Sequence, residues 1–150
     1  MIDPRLPDRF ELLRELGSGA TGTVYAALDR ELGRAMAVKV LDDARPHAGE
    51  RLKQEFRIAA RVLHPNLVRL GELFEHDGGW CFSMELVEGA DAIPWVAPGT
   101  AGAPARARAL VAQVADALAA LHHVDVLHRD VRPANILVEP DSGMGLLADL

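Results

Sequence analysis

The sequence predicts an α+β fold: a strand-rich first part holding one amphipathic helix, a short connector, and then the opening of a mainly helical part. Three observations predict it. Short runs rich in β-branched and aromatic residues recur up to about residue 87, separated by Gly, Pro and Asp turns. A single stretch, 50 to 63, breaks that rhythm with apolar residues at helical spacing. Past a small, Pro/Gly-rich segment at 97 to 105, the chain becomes Ala-rich, with Leu110, Val114, Leu118 and Leu121 on one helical stripe.

In chain order, "RFELLREL" (9 to 16) is the first strand candidate and leads into "GSGATG", three glycines within six residues. "TVYAALD" continues as a strand, because Thr23, Val24 and Tyr25 suit a pleated surface. After Gly33, "RAMAVKVL" (34 to 41) sets Met36, Val38 and Val40 on one side and Ala35, Ala37 and Lys39 on the other. These three runs outline an antiparallel meander. The breaker "DDARPHAG" precedes the helix at 50 to 63, whose stripe is Leu52, Phe56, Ala59, Ala60 and Leu63, and His64-Pro65-Asn66 stops it. Two more strands, "LVRLGELFEH" and "WCFSMELV", flank the turn "DGG" at 77 to 79. A connector near 85 to 91 follows, then the helix running to about His123, and "NILVEPDSGMGLLAD" reads as a small hairpin.

Length and composition bound the function. A chain of 150 residues fits one domain, and 49% hydrophobic residues suffice for a core. A formal net charge of -6 argues against a nucleic-acid partner, which needs a surplus of Lys and Arg at phosphates. Cys81 stands alone, so neither a disulfide framework nor a Cys-based metal site is expected. No apolar leader opens the chain, and "ALVAQVADALAAL" is too short to span a bilayer. A cytoplasmic protein is expected.

The glycine spacing G-x-G-x-x-G serves a backbone that must approach phosphate, and equally serves a ligand-free hairpin turn. A dinucleotide fold would need a helix directly after the glycines, and "TVYAAL" is a poor helix opening. No Gly-Lys-Ser/Thr follows, so a Walker A loop fails as well. Lys39 adds a positive charge on the strand face opposite Met36, Val38 and Val40, where a nucleotide over the glycine turn would lie; the bland alternative is a solvated edge lysine.

With "MAVK" behind a glycine hairpin that ends in Val24, the chain resembles the protein kinases, whose G-x-G-x-x-G-x-V loop precedes a Val-Ala-Ile-Lys strand. "HRDVRPAN" (128 to 135) fills every fixed position of the family's His-Arg-Asp-x-x-x-x-Asn loop, and "LLADL" sets Asp149 where the Asp of Asp-Phe-Gly falls. Glu55, nine residues before "HPNLV", matches the helical glutamate that holds the strand lysine; Glu50, at the helix entrance, is the alternative.

The resemblance implies an antiparallel five-stranded N-lobe sheet with one helix over about 9–84, a hinge at 85–91, and an incomplete C-lobe at 92–150. It implies transfer of a phosphoryl group from ATP to Ser or Thr hydroxyls of a protein substrate, assisted by Mg2+. Gly17, Ser18, Gly19, Ala20, Thr21 and Gly22 would cover the phosphates, and Lys39 paired to Glu55 would grip them. Asn135 and Asp149 would hold Mg2+, Asp130 would orient the acceptor hydroxyl, and Arg132 would face the transferred group. Met84 would guard the adenine pocket, backbone groups of Glu85 and Val87 would bond the base, and Val24, Ala37 and Leu137 would enclose it. Asp91 would meet the ribose. Pro133 favours Ser/Thr over Tyr specificity, although Arg132 replaces the usual Lys and Leu150 the usual Phe.

The chain stops at Leu150, and the resemblance therefore implies the first part of a longer kinase, poorly stable and nearly inactive by itself, with apolar area exposed on the helix at 103 to 123. Two rival functions stay open: a small-molecule phosphotransferase of related fold, and a nucleotide-binding or pseudokinase interaction module. A zinc site at His122, His123 and His128 is the weaker account of those histidines, which read as a helix-end pair and a structural His. His64 reads as a turn residue, and the arginines at 106 and 108 as a solvated helix face.

Overall fold

A computed structural model describes residues 6–19, 21–42 and 49–149, which fall into two compact units. The first comprises the chain up to Arg57 together with Leu70–Leu86; the second comprises Ile58–Arg69 and the chain from Val87 onward.

The first unit is a five-stranded antiparallel sheet. Its strands are β1 (Phe10–Gly19), β2 (Gly22–Asp29), β3 (Arg34–Leu41), β4 (Leu70–His76) and β5 (Gly79–Glu85), in the spatial order β1-β2-β3-β5-β4. The period-2 pattern works as expected: Tyr25, Ala27, Val38, Val40 and Cys81 point to one face and bury together with Leu6 and Phe10. Phe10 adds an edge-on contact with Phe74, ring centroids 5.3 Å apart. Asp77 (φ 49°) and Gly78 (φ 76°) both occupy the left-handed region, as a two-residue type I′ hairpin between β4 and β5 requires.

Arg9 ties three strands together. Its Nε and second guanidinium nitrogen donate to the two carboxylate oxygens of Asp29 at 2.9 and 2.7 Å, and the remaining nitrogen reaches Glu72 at 2.6 Å. Asp29 is fully buried and also accepts the N–H groups of Glu31 and Leu32, so every element of the β2–β3 turn leans on it. The Arg9 fork holds the Asp29 carboxyl below its ordinary value, against the opposing effect of burial.

Helix α1 (Gly49–Ala59) is shorter than the expected 50 to 63. Bonds from Arg61 N–H to the Ile58 carbonyl and from Val62 N–H to the Ala59 carbonyl tighten its last turn. Val62 then packs into the second unit's core, which turns the chain and leaves Leu63 68% exposed rather than on the helix stripe. His64 is the turn residue expected: its Nδ1 accepts the Asn66 N–H and its carbonyl the Leu67 N–H.

The second unit is built on α3 (Ala103–His122), preceded by one helical turn, α2 (Ala92–Trp95). Gly102 (φ 75°) and Pro104 start α3, since proline loses nothing in a first turn; Asp125 (φ 60°) ends the coil after it. The apolar stripe buries Leu110, Val114, Ala117 and Leu121, while Val111 on the outer face is 70% exposed. A small sheet of β6 (Ala90–Asp91), β7 (Ile136–Val138) and β8 (Gly145–Leu147) packs on it, in that order. The hairpin expected at the end of the chain is β7–β8; β6, inside the expected hinge, and α2 carried no sequence signal. Arg106 is half-buried rather than on a fully solvated face, its guanidinium 4.1 Å from the centre of the Trp95 ring, while Arg108 is exposed as expected.

Candidate functional site

In the first unit the glycine hairpin joins β1 to β2, with Gly17 opposite Val24, Ser18 opposite Thr23, and Gly19 opposite Gly22. Thr21 is exposed at the tip; Ala20 lies outside the described residues. A Cβ at Gly17 or Gly19 would meet nothing within 4 Å, so both stand over open space. Gly22 differs. Its φ is +143°, and a Cβ there would run into the Val40 carbonyl oxygen of β3. Gly22 is therefore required by packing of the hairpin itself, whatever the loop covers.

Lys39 sits on β3, the central strand, between Val24 of β2 and Phe82 of β5, and is 4% exposed. Two residues back along β3, Ala37 lies between Ala26 and Met84. Directly paired residues of an antiparallel sheet project to one face. Val24, Ala37, Lys39 and Met84 thus share the face opposite the Tyr25–Val38 core. Lys39 is a buried residue and not the solvated edge lysine that was its bland alternative. Glu85 ends β5 and is half-buried.

Helix α1 packs on that same face, with Phe56 against Phe82 at 5.5 Å between ring centroids. Glu55, next along the helix, receives a bond from Arg51 Nε at 2.9 Å; Glu50 pairs with Lys53 instead.

In the second unit the segment 128 to 135 folds back on itself. Asn135 donates through Nδ2 to the backbone carbonyl of Asp130 at 2.8 Å and to its carboxylate at 2.9 Å. Arg132 Nε stands 3.4 Å from the same carboxylate, with both side chains about half exposed. Asn135 is buried, and its Oδ1 takes no part in those two bonds. His128, also buried, uses both ring nitrogens: Nε2–H donates to the Ala148 carbonyl at 2.9 Å and Nδ1 accepts the Asp130 N–H at 3.3 Å. That arrangement makes it the structural histidine expected.

Ala148 is held from two sides, since its N–H donates to the Asn135 carbonyl at 2.8 Å. The next residue is Asp149, so Asp130, Asn135 and Asp149 are gathered at one end of the small sheet. Arg129 and Asp149 both have φ of 67°. Non-glycine residues in this region carry strain, and such strain concentrates at functional positions. In the strand pairing beside them, Asp91 of β6 faces Leu137 of β7. Val87 is half-buried at the start of this unit.

Two supporting residues escaped the sequence reading. Asn66 donates through Nδ2 to the Gly145 carbonyl at 2.8 Å and to Gln113 Oε1 at 3.2 Å, and its own carbonyl takes the Leu147 N–H at 2.8 Å. It thereby fixes β8, the strand that delivers Asp149. Its signal was the His-Pro-Asn turn, quoted only as a landmark. Gly89 is the other, because a Cβ there would lie 3.1 Å from the Leu137 side chain and 3.2 Å from the Val138 carbonyl oxygen.

A glycine hairpin beside a buried strand lysine, and an Asp–Asn loop tied to a strained aspartate, are the parts of one known domain. The protein kinase domain family matches residues 10–150, and the chain belongs to it. The chain is 41% identical over 136 residues to serine/threonine-protein kinase pkn2 of Myxococcus xanthus, covering 89% of this chain and 16% of that protein. Among solved structures, the Mycobacterium tuberculosis PknI kinase domain matches 99% of the chain with a TM-score of 0.79 and 31% identity; the chain spans 62% of it. A structure of Rad53 in complex with AMP-PNP matches 94% of the chain, with a TM-score of 0.81 and 29% identity, and the chain spans 38% of it.

Proposed function

We propose that this chain supplies the ATP-binding and phosphoryl-transfer residues of a serine/threonine protein kinase that acts in the cytoplasm. The bonded group Asp130–Asn135–Ala148, with Asp149 next in the chain, is the observation that carries the reading. The names of the relatives support a protein acceptor, and the AMP-PNP in the Rad53 structure supports a nucleoside triphosphate as donor. Pro133 supports Ser/Thr over Tyr.

The donor set fits Mg2+, a hard cation that takes oxygen ligands: a carboxylate at Asp149 and an amide oxygen at Asn135, whose nitrogen is already spent on Asp130. Mg2+, when bound, neutralises charge on phosphate oxygens. Gly17 and Gly19 leave room for the phosphates to reach backbone N–H groups, and Lys39, steadied by Glu55, supplies a fixed positive charge to them. Val24, Ala37, Met84 and Leu137 enclose the adenine, the backbone of Glu85 and Val87 bonds its edge, and Asp91 meets the ribose. Asp130 orients the acceptor hydroxyl and takes its proton, with Arg132 held beside it to offset charge.

ATP with Mg2+ is expected to raise the melting temperature of the chain, a free energy of about 2.7 kcal/mol at a ligand concentration 100-fold above Kd. Lys39→Ala and Asp149→Asn are expected to remove most of that rise. A wild-type chain whose melting is indifferent to ATP and Mg2+ overturns the reading. Phosphate transfer to Ser/Thr peptides by a longer protein that includes this chain, lost in Asp130→Asn, separates a protein kinase from a phosphotransferase acting on small alcohols.

A further inference from the structure

The stripe of α1 that meets the sheet contains two aromatic contacts, and only one of them lies beside the lysine. Phe56 rests on Phe82, which is the cross-strand partner of Lys39. Two residues earlier on β5, and so on the same face, Trp80 supports the start of the helix. A Cβ at Gly49 would come 3.0 Å from the edge of the Trp80 ring, and Lys53 Nζ lies 5.2 Å from the centre of a Trp80 ring. Gly49, Lys53 and Phe56 follow the i, i+4, i+7 spacing of a single helix face, and Trp80 and Phe82 follow the i, i+2 spacing of a single strand face. Stripe lies on stripe at two points, and Glu55 immediately precedes Phe56 on the same helix.

We propose that Trp80 is a positioning residue: its flat ring sets the distance and axial placement of α1 on β5, and through them the reach of Glu55 toward Lys39. The proposal rests on the functional reading above, in which Glu55 steadies Lys39 for the phosphates. Gly49 belongs to the same device, since its missing side chain lets the helix start sit directly on the ring. Lys53 Nζ lies over the ring, a cation–π contact that adds to the seat. Phe82 alone gives one point of support, about which a helix can pivot; a second point fixes its direction.

The test is equilibrium binding of ATP with Mg2+ by calorimetry, at a temperature where circular dichroism shows each variant folded. Trp80→Ala is expected to weaken binding about tenfold, the loss of roughly one aligned charge contact, while Trp80→Phe, which keeps a flat ring, binds within about twofold of wild type. Lys39→Ala is the control for the functional reading, and combining it with Trp80→Ala should add little further loss, because Trp80 acts through Lys39. If Trp80→Ala does not fold, Trp80→Leu, apolar but not flat, carries the same expectation. Wild-type affinity in the folded Trp80→Ala or Trp80→Leu chain overturns this inference and leaves the functional reading standing. So does full additivity with Lys39→Ala. A wild-type chain that binds no ATP overturns both.

Discussion

A methyl group added at Gly22 would collide with the Val40 carbonyl oxygen, and a side chain at φ +143° is strained wherever it points. Gly22→Ala is therefore expected to cost about 1–3 kcal/mol of stability, read as a lower melting temperature without any ligand. Gly17→Ala and Gly19→Ala place their methyl groups in open space, so they should fold like wild type and lose ATP affinity instead. Equal melting temperatures for all three variants would contradict the packing role of Gly22. Cys81 gives a second residue-scale expectation. Burial pushes its thiol up to about 11, so almost no thiolate exists at neutral pH and the sulfur is shielded besides. Its reaction with a disulfide reagent at pH 8 should wait for unfolding; rapid labelling of the folded chain would show that the first unit's core is open.

Strands and helices repeat the lesson at a larger length. The Arg9–Asp29–Glu72 cluster joins β2 and β4 to the residue that leads into β1, and its effect on stability has a defined sign. Because the Asp29 pKa is lowered in the fold from an ordinary 3.8, its contribution is complete above that value and is lost as acid drives pH down through the folded pKa. Arg9→Ala leaves Asp29 buried without its fork. That is expected to cost about 3–5 kcal/mol at neutral pH and to bring acid unfolding on at higher pH than in wild type. Much of this level was readable from residues alone. The alternation of β3 placed Lys39 opposite the core and the Asp77–Gly78 turn announced its hairpin, whereas Asp130 and Asn135 were assigned to one loop by the family resemblance of "HRDVRPAN". Such signals are local: they span a strand, a turn, or one loop. The end of α1 was misjudged because Val62 is drawn into a core whose other members, Leu67 apart, lie fifty or more residues on. Arg9 with Glu72, 63 residues apart, leaves no periodic trace at all. Pairings between distant polar residues depend on how the elements stack, which no window of a dozen residues records.

For the molecule as a whole, each unit has its own apolar core, Tyr25, Val38 and Cys81 in one and Val114, Ala117 and Leu121 in the other. Leu121 is 1% exposed, and Leu121→Ala is expected to cost about 2–5 kcal/mol, whereas Val111→Ala, at 70% exposure, should change stability by no more than about 0.5 kcal/mol. Chemical denaturation of the two variants checks this; similar midpoints would mean that α3 does not bury the stripe assigned to it.

The Asn66–Gly145 bond closes a span of 79 residues, and synthesis runs in one direction. While a ribosome makes the chain, the backbone of Asn66 and Val68 emerges long before the Leu147 that will pair with it. Those amide and carbonyl groups must stay hydrated until Leu147 itself has left the exit tunnel, so this seam closes after the strands of the first sheet have emerged. Until then the newborn polypeptide can complete its first sheet but cannot deliver Asp149 to its place.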